Sequence, residues 1–234
     1  MIVVAAPAAA SRAATTRPMP CVEPLTNACL PLRSMFIPTS WTADNVSMET
    51  PAAAPPPQRV ARRADIEQIS ALMCDSVLDI FPRFYDAEQT RSAALYIARL
   101  DTRLIEDGTY FVHEAPPGEI VACGGWSRRG KLHAGAGDAP GDDRLLDPHA
   151  EPARVRAMFV RADWTRRGLG RAILESCERA ARDEGFTNLV LMATLPGEPL
   201  YRAFGFRETG RPLLTLDDGV QLEGVAMERA IANA

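Results

Sequence analysis

Two glycines one residue apart lie in a basic run, Arg166-Arg167-Gly168-Leu169-Gly170-Arg171, shortly after a β-rich segment ending at Val160. At the mouth of a helix the first N–H groups have no intrahelical partner, and glycine leaves them unscreened. With the positive end of the helix dipole they make a site for an anion such as a diphosphate. Arg166, Arg167 and Arg171 add charge and planar donors suited to phosphate oxygens. The plainer reading is a tight strand-to-helix connection with solvated arginines, and a bare GxG does not separate the two. Two other phosphate sites fail on pattern. There is no GxxxxGK followed by Ser or Thr, and the sole lysine is Lys131, so this is not a P-loop. A GxGxxG dinucleotide turn needs glycine where Ile173 stands.

Other reactive side chains are sparser. Tyr201 lies in Leu200-Tyr201-Arg202-Ala203-Phe204, closed by Gly205-Phe206. His113, His133 and His149 lack metal-ligand spacing, and Asp138, Asp142, Asp143 and Asp147 do not fit a calcium loop, so no metal is expected. Cys21, Cys29, Cys74, Cys123 and Cys177 are odd in number, widely spaced and contain no CxxC. They argue for a reduced, cytoplasmic setting rather than a disulfide framework. Cys123 and Cys177 read as small core residues.

The elements that must carry these groups are visible in the periodicity. Residues 59–62 suit a first strand, and Asp65 opens an apolar series, Ile66, Ile69, Leu72, Met73 and Val77, at helical spacing. Asp86-x-x-Gln89 has the form of a capping box ahead of a second helix. Segments 109–113 and 119–126 are β-rich and joined by Ala115-Pro116-Pro117-Gly118, which predicts a hairpin. A polar loop over 127–153 leads to a strand at 154–160 and a helix at 166–184, with Leu169, Ile173, Cys177 and Ala180 on one face and Gly185 at its end. A buried strand at 189–194 and a short helix at 200–204 follow. The last hairpin turns at Asp217-Asp218-Gly219. Strand–helix–strand in the middle with hairpins at both ends predicts a mixed α/β sheet.

The 234 residues include 26 basic and 30 acidic side chains, and a net charge of −4 offers no general attraction to nucleic acid or anionic membrane. No apolar run is long enough to span a bilayer. Ten of the 19 prolines fall within 1–57, among Ala, Ser and Thr. Such a segment buries too little apolar surface to offset its ordering entropy, so 1–57 is expected to be disordered and 58–234 to form one domain. The apolar opening lacks the basic stretch of a signal peptide, and Pro7 interrupts it.

Residues 154–206 resemble the acetyl-CoA-dependent GNAT (general N-acetyltransferase) superfamily. The resemblance rests on Phe159-Val160 at a strand end, Arg167-Gly168-Leu169-Gly170-Arg171, the strand at 189–194, and Leu200-Tyr201 through Gly205-Phe206, in the family's order and spacing. It implies the acyl-CoA N-acyltransferase fold, a mixed, centrally splayed β-sheet flanked by helices. It implies acetyl-CoA as cosubstrate, with the backbone of Met158, Phe159 and Val160 pairing with the pantetheine arm. Arg166, Arg167, Gly168, Leu169, Gly170 and Arg171 would hold the diphosphate, and Tyr201 matches the family's proton donor to the leaving thiolate. Thr165 departs from the Gln or Arg usual at the first motif position, so Arg166 or Arg167 would compensate.

Family members often carry a Glu on the strand before the turn, whereas 154–160 holds only Arg154 and Arg156 as charged residues. A base must come from elsewhere, with Glu114, Asp142 and Asp143 as candidates, or act through water. An arginine facing the acceptor would favour an anionic one. Trp126, Phe81, Phe84 and Tyr85 suit either an acceptor pocket or the core. The activity implied is acetyl transfer to a primary amine of a small molecule or protein, with a homodimer as one assembly. The alternative is a non-catalytic module that binds acyl-CoA.

Overall fold

The computed structural model describes residues 55–130 and 144–231. Period-two burial in the C-terminal half builds strands, and the apolar stripes of the intervening helices cover them. The first limb of the sheet is antiparallel: β1 (Gln58–Val60), β2 (Tyr110–Ala115), β3 (Glu119–Ser127) and β4 (Ala153–Val160). The second limb is β5 (Asn188–Thr194), β6 (Arg207–Gly210), β7 (Leu213–Thr215) and β8 (Gln221–Ala230), with β5, β6 and β7 all antiparallel to β8. The eight strands run β1-β2-β3-β4-β5-β8-β6, with β7 beside β8.

The two limbs meet only where β4 and β5 run parallel. Their pairing is confined to Ala153 with Leu189 and Arg154 with Val190. Beyond Arg154 the β5-facing edge of β4 has no partner strand among the described residues, so the sheet splays at its centre as expected. α4 (Leu169–Asp183) crosses from β4 to β5, and its stripe of Leu169, Ile173, Leu174 and Cys177 joins Val155, Leu191 and Val225 in one core cluster. A second cluster gathers Ile69, Met73 and Val77 of α1 (Ile66–Ile80) with Val112, Phe159 and Leu222.

Other predicted devices appear where the residues put them. Asp86 caps α2 (Ala87–Tyr96), its carboxylate accepting from Gln89 N–H at 2.8 Å while Gln89 Oε1 accepts from Asp86 N–H at 3.1 Å. The β7–β8 hairpin turns at Gly219 with φ +86°. Differences lie at short or irregular places. α3 (Arg103–Glu106) and β6 were not anticipated, because four residues carry too little period to read. α4 starts at Leu169 rather than 166, since Arg166 and Gly168 both adopt left-handed backbone. The folded unit also begins before Gln58. Pro56 is buried, its carbonyl 2.7 Å from His113 Nδ1, and the Pro57 carbonyl accepts from Glu114 N–H at 3.1 Å. The expectation of disorder over 1–54 lies outside the described residues.

β4 carries a bulge. Cys123 pairs with Phe159 but Gly125 with Arg156, so three steps on β4 face two on β3, and Ala157 has φ +51°. Tyr110 Oη donates to the Ala157 carbonyl at 2.7 Å and holds the distortion in place. Gly124 is the residue that permits it: a Cβ there would fall 2.2 Å from Met158 Sδ and 3.3 Å from Met158 Cα.

Candidate functional site

The splay opens a cleft of about 560 Å³ whose walls come from both limbs. One wall is the unpaired run Val155–Val160 of β4, and the other is formed by Met192 and Thr194 of β5 with α5 (Glu198–Phe204). Met158, Phe159, Val160, Arg166, Gly168, Leu169, Gly170, Arg171 and Tyr201 all line this one cleft. Residues chosen from separate stretches of sequence therefore share a single space.

At its mouth lies the β4–α4 turn. The first α4 residue region to donate a backbone bond is Ala172, to the Gly168 carbonyl at 3.0 Å. Among the described residues the N–H groups of Gly168, Leu169, Gly170 and Arg171 make no such bond, a cluster of free donors of the kind that suits an anion. The two glycines serve different ends. Gly168 is needed for its φ of +81°, with nothing within 4 Å of a would-be Cβ. Gly170 lets α5 approach, since a Cβ would meet Leu200 Cδ2 at 2.8 Å.

The arginines also divide. Arg166 is exposed, lines the cleft and forms no ion pair among the described residues. Arg171 lines it too, bonded to Glu175 at 3.0 Å and lying over Phe204. The Arg167 side chain stacks on Trp164, 4.4 Å from the ring centroid, and donates to the Asp163 carbonyl at 3.1 Å, outside the cleft lining. Its guanidinium is thus spent on shaping the turn. Thr165 Oγ1 donates to the Ala162 carbonyl at 2.8 Å, so its short side chain serves the turn as well.

Tyr201 is buried against Phe206, edge to face at 5.9 Å. Burial, and then the nearby Cys177, pushes its phenol well above the usual tyrosine range. Buried thiols here are inert for the same reason: Cys123 is pushed up to about 12.

At the vertex of the splay the cleft is charged. Arg156 Nη1 donates to Asp101 Oδ2 at 2.8 Å, and both residues line the cleft with Arg99. Asp101 is the only carboxylate among the described residues lining it. It was not singled out in the sequence, where it is one of many exposed-looking acids between two helices. Glu114 is elsewhere, bonded to Arg59 at 2.6 Å, and Asp142 and Asp143 lie outside the described residues. Arg154 lies outside the lining. Phe81 lines the cleft, whereas Trp126 is 1% exposed in the core against Phe186, and Phe84 is 46% exposed. Tyr85 is buried; its hydroxyl accepts from Leu195 N–H and donates to the Glu223 carbonyl, both at 2.9 Å. Among the described residues no group of His, Cys, Asp and Glu could hold a metal ion.

With that geometry in hand, likeness to known proteins is informative. Residues 106–208 match the family model of the acetyltransferase (GNAT) domain. A comparison with curated protein sequences returns no match. Among solved structures, a GCN5-related N-acetyltransferase from Rhodopseudomonas palustris is similar with a TM-score of 0.57 and 16% identity, over 76% of this chain and 96% of that one. The PaiA N-acetyltransferase from Thermoplasma acidophilum, solved in complex with coenzyme A, gives 0.51 and 13%, over 74% and 98%. A GNAT-family acetyltransferase from Staphylococcus aureus Mu50 gives 0.50 and 14%, over 75% and 99%. At such identities the likeness is one of fold. Residues 106–208 thus match a GNAT acetyltransferase domain, and the splayed sheet has the fold of the solved GNAT acetyltransferases.

Proposed function

We propose that the protein transfers the acetyl group of acetyl-CoA to a primary amine by direct attack on the thioester. The observation that carries this reading is the continuity of main-chain groups that face no partner strand, with the Val160 carbonyl held by Ser76 Oγ at 3.0 Å. The unpaired edge of β4 from Met158 to Val160 leads to the unpartnered N–H groups at the mouth of α4, in the cleft that also holds Tyr201. An extended amide-bearing arm can pair with such an edge as an added strand would, and a diphosphate fits the cradle beyond it. Arg166 and Arg171 then supply the charge.

When bound, acetyl-CoA supplies a thioester carbonyl open to attack and a thiolate leaving group. The chain supplies the proton traffic. An alkylamine with a lysine-like pKa is deprotonated in only about one molecule in 2,500 at pH 7. Asp101, the one carboxylate among the described cleft residues, attracts the ammonium and takes its proton directly or through water. Backbone N–H groups of the open β4 edge stabilise charge on the carbonyl oxygen. Tyr201 Oη then gives its proton to the sulfur and recovers one from solvent. Between ordinary groups that transfer costs about 2 kcal/mol. Burial raises the phenol further, but the same dry cleft raises the thiol, so the gap does not widen in proportion.

The test is direct. Free thiol released from acetyl-CoA over a panel of amines, together with a calorimetric titration of CoA, should give micromolar binding and amine-dependent release. Absence of heat at millimolar CoA overturns the donor site, and binding without release to any amine overturns the enzymatic reading.

A further inference from the structure

Arg156 is placed at odds with a purely structural role. Its side chain is only 5% exposed, yet the bond from Nη1 to Asp101 is the single hydrogen bond it makes among the described residues. A guanidinium carries five N–H donors. Nε is enclosed without a partner, and Nη2 is left unused. Leaving donors of a buried cation unpaired is costly, and an apolar residue at this strand position would avoid the cost. Arg156 stands two residues past the last β4–β5 pair, where the splay begins, and both it and Asp101 line the cleft. Arg99, two residues before Asp101 and exposed, also lines the cleft, so among the described lining residues the one carboxylate is outnumbered by guanidiniums.

We infer that the acceptor carries an anionic group beside its amine, a carboxylate or a phosphate, which Arg156 and Arg99 bind while Asp101 receives the ammonium. This rests on the acetyl-transfer reading and names the substrate class of that site. The charge count favours it: a plain alkylamine entering here would meet a net positive end, whereas a zwitterion meets one partner for each of its charges. Arg156 is then a specificity-determining residue, rigid because Asp101 fixes one edge of its guanidinium.

The experiment compares matched acceptors. Amino acids and phosphoethanolamine are assayed against the corresponding alkylamines for kcat/KM with acetyl-CoA. In parallel, N-acetylated amino acids and N-acetyl alkylamines are titrated calorimetrically into the protein saturated with CoA. Wild-type protein should prefer one anionic arm over its uncharged match by at least about 10-fold, and the carboxylate and phosphate arms identify which anion it is. Arg156→Gln should lower that preference towards one, and Arg156→Lys should restore part of it. Equal or better use of the plain alkylamines by wild-type protein overturns the inference whatever the variants do. So does an Arg156→Gln variant that loses both acceptor types equally. If CoA itself does not bind, the acetyl-transfer reading fails instead, so the two failures are distinct.

Discussion

Tyr201 and Arg167 illustrate how differently two residues of one motif can be used. Tyr201 is buried in the cleft, and its raised phenol pKa keeps the proton on through neutral and moderately alkaline pH. Tyr201→Phe should therefore lower kcat by about 100-fold, the low end for a lost general acid, while CoA affinity from calorimetry stays unchanged. A pH profile of kcat on wild-type protein should show no descending limb from this group below about pH 10, because deprotonation lies above the ordinary tyrosine value. Full turnover in Tyr201→Phe would remove the tyrosine from the chemistry. Arg167 was indistinguishable from Arg166 in the sequence. Only the left-handed backbone at Arg166 and the Trp164 ring decide which guanidinium reaches the cleft. Asp101 and Arg156 were equally unreadable as a pair, because they are 55 positions apart and only the fold brings the segment ahead of α3 against β4.

At the scale of elements, strong periodicity was legible and weak periodicity was not. α1, α4 and both hairpins follow from apolar spacing and turn residues, whereas the bulge in β4 follows from nothing in β4 itself. Its sequence mark is Gly124 on the neighbouring strand, whose missing side chain makes room for Met158. The turn ahead of α4 depends on Gly168 in a similar way. Gly168→Ala has free space for a methyl but must hold φ +81°, at a cost of about 1 kcal/mol. CoA affinity in that variant should drop several-fold with the melting temperature lowered only a few degrees, and unchanged affinity would mean that the cradle is not the diphosphate site. Asp65 anchors the entry to α1, accepting from Arg59 at 2.7 and 2.9 Å and from Arg62 N–H at 2.7 Å. The Arg59 guanidinium, aided by Arg62, holds its carboxyl below the ordinary 3.8 despite partial burial. The resulting stability is fully present above about pH 4 and is lost as pH falls through the depressed folded value. Asp65→Asn should cost about 2 kcal/mol at pH 7, and the difference from wild type should shrink on acidification. A difference that is constant down to pH 2 would contradict the pairing.

For the molecule as a whole, composition put the start of the domain at Gln58, whereas Pro56 and Pro57 already bond to it. The shortfall is physical, because main-chain carbonyls at Pro56 and Pro57 are held by His113 and Glu114, and carbonyls carry no sequence signature. Chains begun at Pro55 and at Gln58 should accordingly differ, with the shorter melting several degrees lower; identical melting curves would show those two bonds to be dispensable. The division into two limbs was implied by family likeness, and the bare pattern of strands gave only a mixed sheet. Those limbs share two paired residues on β4 and β5, so little in the sheet fixes how far apart they stand. Tyr85 takes up that duty from the corner after α1. Its one hydroxyl ties to Leu195 at the end of β5 and to Glu223 on β8, so a single phenol acts as a strut. The width of the cleft is thus tied to an oxygen atom of a residue outside its lining.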